Sequence, residues 1–577
     1  MSRSINYGAS PLLASKTPVW RSKLIVAGLA LAFVVLGARA AYVQVFNSDF
    51  FQRQGEQRFV RTFELSANRG QVLDRNGLIL ASSVVAQSIW AIPEDVDSSD
   101  PNLSELARLI DLPLPELQRR LALEDRTFVW LRRQVDAPVA KQIAALGIAG
   151  IHQRREFKRH YPEGASAAHV VGFTNVEEQG QEGVELVFNE QLVGVNGSRR
   201  VIRDRLGRVV EDVRAVLPPQ DGTDLRLSID SRVQHFAFQK LRQTVQQHRA
   251  QAGSVVVLDT QSGEVLALVN YPSFDPNQRR NLSGAQLRNR ALTDSFEPGS
   301  IVKPFMAALA LEKGLARPET PIHMEGGRVS VGGISIRDRT PKDVLTLTEV
   351  MARSSNVGIV MLAMQMHPRD MWEMFTHIGL GRQPQLSFPG AVSGRVRPYK
   401  NWRPIEQATI SYGYGLSTSL FQLAQAYTVF ARGGELIPVS LLKTDGPVSG
   451  VRVFGQASAN AVRDMLVLAA GPGGTGAHAQ TMGYSVAGKT GTTRKQEGGA
   501  YAKDRHRSFF VGFAPAESPR IVVAVMIDEP SAGQFFGGVV AAPVFSETVQ
   551  HTLRILGVQP DMTVLPQIVT DLVEESF

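Results

Sequence analysis

The sequence predicts an α+β catalytic domain carried behind a single N-terminal membrane-spanning helix and an elongated non-catalytic pedestal module. Three observations predict it. An apolar run, Leu24 to Ala38, follows a flank that is basic without acids. Two β-rich runs near Ser254 and three beyond Tyr484 bracket a long, mostly helical stretch. Between the apolar run and the first of those strands lies a basic, turn-rich segment of mixed period. Strands divided in this way by helices read as one five-stranded antiparallel sheet with a helical insertion.

The chain has 577 residues, 43% hydrophobic and 20% charged, enough for two or three domains with real cores. Its formal net charge of +8 suits an anionic membrane or a nucleic acid, and charge alone does not choose. Cysteine is absent, which excludes disulfides, thiolate metal sites and a cysteine nucleophile.

Taken in order, residues 1–23 supply Arg3, Lys16, Arg21 and Lys23 with no acid, the pattern of a cytoplasmic flank. Residues 24–46 hold only Arg39 and Gln44 as strongly polar side chains and read as a membrane anchor. Arg39 can snorkel to the headgroups. Ala38-Arg39-Ala40 also fits a signal-peptidase site, so cleavage is the alternative. Either way the bulk of the chain is exported.

Residues 47–222 form the pedestal module. Helical patterns run from Ser104 to Ile110 and from Pro115 to Ala122; another starts at Asp136 with Pro138 and stops at Gly147. His152, His160 and His169 fit no metal-ligand spacing and read as ordinary histidines. Arg154, Arg155, Lys158 and Arg159 read as a solvated strand face, with an anionic lipid or partner surface as the alternative. Pro218, Pro219 and Asp221-Gly222 then break the pattern and set the boundary.

Residues 223–557 form the catalytic domain. Ser254 to Leu258 and Glu264 to Val269 make a hairpin. Tyr484 to Gly488, Ser508 to Phe513 and Ile521 to Ile527 supply three more strands, and a helix closes the domain around Val544 to Leu556. The tail, 558–577, carries acids without Lys or Arg and is expected to be loosely ordered.

Three motifs lie in fixed order: Ser300-Ile301-Val302-Lys303, Ser354-Ser355-Asn356 and Lys489-Thr490-Gly491-Thr492. One S-x-x-K is uninformative, since roughly one or two arise by chance in such a chain. Glu297-Pro298-Gly299 is a turn ending at Ser300, and Ile301 to Lys313 is apolar at helical spacing, so Ser300 should sit at a helix N-terminus. The i, i+3 spacing puts the Lys303 amine on the face of the Ser300 hydroxyl. A lysine acts as a base only when neutral, which burial and a nearby positive charge favour; Lys489 can be that charge. Ser354 and Asn356 can share a cleft if they lie on a tight turn, Ser354 relaying a proton and Asn356 orienting Lys303 and holding a substrate amide. Gly491 leaves room for a substrate backbone along its strand, where Lys489, Thr490 and Thr492 can bind a carboxylate. Together these residues read as a serine acyl-transfer site, with no metal and no cofactor.

The ordered trio resembles that of penicillin-binding proteins and serine β-lactamases. The chain as a whole resembles class B penicillin-binding proteins, most closely the septal, FtsI-type peptidoglycan D,D-transpeptidases. The resemblance extends to Arg69-Gly70 with Asp74-Arg75-Asn76-Gly77, to Tyr161-Pro162-Glu163-Gly164 through His169, to Gly183 and Glu185, and to Tyr412-Gly413-Tyr414-Gly415 and Phe535-Phe536-Gly537-Gly538. It implies that a stem peptide acylates Ser300 with loss of D-Ala, that a neighbouring stem amine forms the cross-link, and that β-lactams stall at the acyl-enzyme. It places the oxyanion on the N–H groups of Ser300 and Thr492, and Tyr414, Phe535 and Phe536 along an apolar wall, where relatives often carry tyrosines in place of the two phenylalanines. It implies a bacterial inner-membrane protein with its catalytic domain in the periplasm. Its partners are an FtsW-like membrane glycosyltransferase and other division proteins, not nucleic acid.

Rival readings are a D,D-carboxypeptidase or β-lactamase, an idle β-lactam-binding scaffold and a side-wall elongation paralogue. The large module before the enzyme argues against simple hydrolysis, and the complete motifs argue against an idle site.

Overall fold

A computed structural model describes residues 18–46, 60–123, 126, 128–203, 209–386 and 388–563. Most of the expected cytoplasmic flank, including Arg3 and Lys16, and the tail beyond residue 563 lie outside them. The chain divides into two compact units: Met1–Ala67 with Val195–Gln220, and Asn68–Gly194 with Asp221–Phe577. The passage from one unit to the other after Gln220 falls in the Pro218 to Gly222 break.

In the first unit a helix covers Val19–Ala41 and continues as a π turn over Tyr42–Phe46. Its Val19–Val45 stretch is long and apolar enough to cross a membrane, and side chains such as Leu29 and Phe33 are exposed, as lipid contact requires. Strands Val60–Leu65, Gly197–Arg203 and Val209–Leu217 form a three-stranded antiparallel sheet in that order.

In the second unit, strand Ile79–Ala91 pairs antiparallel with Val129–Asp136 on one side and Ile151–His160 on the other. Ile89, Ala91, Val129, Leu131 and Val135 pack against the three helices expected from the sequence, which run Leu103–Leu109, Leu114–Leu121 and Ala137–Ala145. The basic run needs correction at one position. Period two along the strand separates Arg159 from Lys158 and turns it inward, where Arg159 Nε donates to Glu185 Oε1 at 2.7 Å and Arg69 Nε to Glu185 Oε2 at 2.7 Å. Arg159 Nη2 also donates to the Gly70 carbonyl at 2.8 Å, so Arg69-Gly70 and Glu185 are one buried network. His169 is a core histidine: its Nε2 donates to the Gln286 carbonyl at 2.7 Å, and burial lowers its pKa to about 4.

The catalytic part of this unit is built from α1 (Ser231–Gln247), β1 (Ala252–Asp259), β2 (Val265–Tyr271), α2 (Lys303–Glu312), α3 (Asn356–Ala363), α4 (Leu420–Ala431), β3 (Ala487–Glu497), β4 (Ala500–Ala514), β5 (Ile521–Asp528) and α5 (Ala542–Ile555). The sheet order is β2-β1-β5-β4-β3, antiparallel throughout. Val256, Leu258, Phe509, Val511 and Met526 face Phe305 of α2 and Tyr427 of α4, while the alternate residues Val255, Val257, Phe510 and Val525 face Leu241 of α1 and Phe545 of α5. Covered on both faces, the central strands read as continuous apolar runs, which is why they were legible. Val72, Leu80, Tyr161 and Val170 join the same core as α2.

Two expectations shift. The strand expected from Tyr484 starts at Ala487 and runs to Glu497, so the Lys-Thr-Gly-Thr motif lies inside it. Tyr484 belongs to the preceding turn, bridging Thr481 and donating its hydroxyl to the Val558 carbonyl at 2.9 Å. The start of the tail is not loose: Asp561 Oδ1 accepts from Ser485 N at 2.8 Å.

Candidate active site

Ser300 lies in a 3₁₀ turn, Gly299–Val302, that runs directly into α2, and Pro304 falls in the first turn of that helix. This is the expected helix N-terminus, with a tighter turn at its start. The turn is held on three sides. Gly299 N donates to the Gly413 carbonyl at 3.1 Å, and a Cβ on Gly413 would stand 2.0 Å from Gly299 O. Tyr427 of α4 donates to the Ile301 carbonyl at 2.8 Å. On the third side is β3, where a Cβ on Gly491 would stand 2.7 Å from Ile301 Cγ1 and 3.3 Å from Pro298 O. The glycine therefore admits the Ser300 turn against the strand, a different reason from room for substrate.

Lys303 is fully buried, and its Nζ donates to the Ser354 carbonyl at 2.5 Å and to the Ser354 hydroxyl at 3.2 Å. Ser354 has φ +60°, a left-handed conformation that costs a serine energy and that the surrounding bonds must impose. Those bonds come from both sides. Ser355 caps α3, its hydroxyl accepting from Gly358 N at 2.9 Å, and donates to Asp338. Asp338 Oδ1 accepts from Asn356 N at 2.7 Å and Val357 N at 3.1 Å. A carboxylate thus grips the first turn of α3, where the helix dipole favours it. Asn356 Oδ1 is buried and has no hydrogen-bond partner among the described residues. It borders a cleft of about 390 Å³ lined also by Ile336, Thr409, Tyr412, Tyr414, Arg494 and Tyr501. An orphan acceptor beside a cleft suits a substrate amide N–H.

Along β3 the side chains alternate. Lys489 and Gly491 share the face of Ala487, toward the helices, and Thr490 and Thr492 take the other. Lys489 is fully buried, with Nζ donating to the Thr490 carbonyl at 3.2 Å and hydroxyl at 3.3 Å. The Thr490 and Thr475 hydroxyls are 2.7 Å apart, and Thr492 Oγ1 accepts from Gly537 N at 3.0 Å.

The expected aromatic residues fall into two groups. Tyr414 lines the cleft, 5.6 Å from Tyr412 and edge-on to Tyr501 at 5.7 Å. Burial raises all three phenols, Tyr412 and Tyr501 to about 12, so they stay protonated donors. Phe535 and Phe536 stack on each other at 4.6 Å; His506 stacks on the first and the Arg339 guanidinium lies 4.9 Å from the ring of the second.

Sequence reasoning missed Asp338, Thr475, Tyr501 and the role of Glu297. The Glu297 carboxylate accepts from Gly415 N at 2.7 Å and from the Tyr501 hydroxyl at 3.0 Å, joining the Ser300 turn, the Tyr412–Gly415 loop and the β3–β4 hairpin. Burial raises its pKa, and the Gly415 and Tyr501 donors oppose the rise. Its place three residues before Ser300 was the only available signal.

Residues 253–550 match the penicillin binding protein transpeptidase domain, and residues 64–227 match the penicillin-binding protein dimerisation domain. The probable peptidoglycan D,D-transpeptidase PenA of Neisseria gonorrhoeae is 41% identical over 544 residues, 94% of this chain and 93% of that protein. The peptidoglycan D,D-transpeptidase FtsI of Escherichia coli K12 is 38% identical over 551 residues, 94% of this chain and 93% of that protein. The solved apo transpeptidase domain of Burkholderia pseudomallei penicillin-binding protein 3 is 49% identical, with a TM-score of 0.55, covering 58% of this chain and 98% of that one. With a dimerisation module ahead of a serine transpeptidase domain, the chain belongs to the class B penicillin-binding proteins.

Proposed function

We propose that the chain is the septal peptidoglycan D,D-transpeptidase of its cell, working through an acyl-enzyme on Ser300. The observation that carries the reading is the buried Lys303 amine on Ser354, one turn of helix from Ser300 and beside the orphan acceptor of Asn356. Ser300 Oγ attacks the penultimate D-Ala carbonyl of a donor stem, giving its proton to neutral Lys303. The oxyanion sits on the N–H groups of Ser300 and Thr492, each donor being worth about 3 kcal/mol of barrier. Lys303 and Ser354 pass the proton to the departing D-Ala amine. Lys489, Thr490 and Thr492 bind the terminal carboxylate, and Asn356 accepts from the stem amide. An acceptor amine then attacks the ester in the reverse sense, forming the cross-link and freeing Ser300. Tyr414, Phe535 and Phe536 border the stem.

The same reading makes 1–23 cytoplasmic, 24–46 the inner-membrane anchor, 47–222 a periplasmic pedestal, 223–557 the transpeptidase domain and 558–577 a tail. Glycan polymerisation falls to an FtsW-like membrane partner among other division proteins. Intact-mass analysis after benzylpenicillin, with Ser300→Ala beside wild type, tests the nucleophile. A one-to-one adduct absent from the variant is expected; rapid penicillin hydrolysis without an adduct would favour a β-lactamase. Concentration of a fluorescent fusion at mid-cell during division tests the septal assignment, and an even side-wall distribution would favour the elongation paralogue.

A further inference from the structure

We propose that the pedestal sheet carries a second, non-catalytic binding site for the glycan strand of peptidoglycan, built on Trp90, Phe128, Trp130 and His152 with Arg154 beside them. On strand Ile79–Ala91, Trp90 is in register with Trp130 on one neighbouring strand and with His152 on the other, so three rings form a row across the sheet. The Trp90 and His152 centroids are 4.5 Å apart, Phe128 lies 4.9 Å from Trp90, and Phe128 stands edge-on to Trp130 at 4.8 Å. These rings are not core. The positions on either side of them, Ile89, Ala91, Val129 and Leu131, point the other way into the helices, while Phe128 and His152 are exposed and both indoles half-buried. Two residues further along the same face, Arg154 stands opposite Ser88, exposed and without an acidic partner among the described residues. The Arg133 guanidinium lies 5.3 Å from the Trp130 ring, held there by Glu156 and Glu177.

The chemistry of this face selects its occupant. Flat rings with negative π faces attract the weakly positive C–H bonds on the flat side of a sugar, and a guanidinium grips a carboxylate through paired N–H donors. A peptidoglycan strand offers both, sugar rings in series and carboxylates on its side groups. A docked apolar helix wants an apolar groove, whereas this row is flanked by Arg133 and Arg154. The inference rests on the proposed function for the identity of the polymer. A holding site on the same molecule raises the effective concentration of strand at the catalytic cleft.

The test is titration of the full chain in detergent with glycan strands stripped of stem peptides by an amidase, followed by tryptophan fluorescence. Such strands bear free carboxylates and lack the D-Ala end, so they are not donors for Ser300. Saturable binding is expected, weakened about tenfold or more by Arg154→Glu and by Phe128→Ala, both at exposed positions. Benzylpenicillin acylation of the same samples should be unchanged. No binding by wild type, or variants that bind as wild type does, would overturn the site. So would cross-links from a photoreactive residue at position 128 to a division protein in place of glycan. Loss of acylation in wild type would instead strike the proposed function, which keeps the two failures apart.

Discussion

Asp338 Oδ1 accepts the main-chain N–H of Asn356 at 2.7 Å, so an acid 18 residues away fixes the turn on which Ser354 and Asn356 stand. The carboxylate also takes Val357 N and the Ser355 hydroxyl, and no side chain of ordinary shape replaces all three bonds. Asp338→Ala is expected to slow benzylpenicillin acylation about 10- to 100-fold, the loss of roughly 1–3 kcal/mol of positioning. Asp338→Asn, which keeps one acceptor, should recover part of it. Stopped-flow acylation rates decide, and an unchanged rate in Asp338→Ala would show that the turn holds its shape without the acid.

Gly491→Ala puts a methyl 2.7 Å from Ile301 Cγ1, and Ile301 is fully buried between β3 and α4. The turn carrying Ser300 must then move. The expected outcome is a loss of acylation of at least about 100-fold with a stability cost of only about 1–3 kcal/mol, as for overpacking elsewhere. Coupling with Ile301→Ala should be visible as sub-additive losses in a double-mutant cycle.

Glu297 ties three segments around the cleft, and Tyr501→Phe removes the closer of its two donors from the β3–β4 hairpin, leaving Gln496 Nε2 at 3.5 Å. Slower acylation with intact folding is expected, and Glu297→Gln should behave similarly. The acid also predicts a pH effect. Its folded pKa is raised by burial, so the folded chain binds the proton more tightly than the unfolded chain. That contribution is full below the unfolded carboxyl pKa, near 4.5, and is lost as pH rises through the folded value. Urea midpoints of wild type should therefore fall relative to Glu297→Gln across that window. Parallel curves would remove the effect.

Glu185 is fully buried between Arg69 and Arg159, and Glu185→Gln leaves two guanidinium groups short of a counter-charge. A loss of about 3–5 kcal/mol in urea unfolding of the unit is expected. Replacing Arg69, Arg159 and Glu185 together with apolar residues of similar volume should cost less than the single change at Glu185, because no buried charge is then left without a partner.

What the sequence made legible follows from what its residues must satisfy locally. The β1 and β2 hairpin, β4, β5 and α5 were readable because strands covered on both faces are continuously apolar and the last helix is amphipathic. The β3 strand was misplaced because Lys489 to Lys495 is polar, and only pairing with β4 makes it a strand. Ser300 and Lys303 were readable from one turn of helix. Asp338, Thr475 and Tyr501 were not, because they reach the site through long loops and a hairpin and share no local pattern with the motifs they serve. Arg159 shows the same limit on the pedestal. A basic run read as solvated until Glu185, 26 residues on, supplied the buried partner.

In the proposed mechanism the Ser300 ester is resolved by an amine and not by water. The direct measurement is mass spectrometry of peptidoglycan products from the full chain with an added glycan-polymerising glycosyltransferase, a pentapeptide-bearing lipid-linked substrate and a matched amine acceptor. The prediction is one D-Ala released per cross-linked dimer, with both absent in Ser300→Ala. Release of D-Ala with free tetrapeptide stems and no dimer would contradict it, making the enzyme a carboxypeptidase.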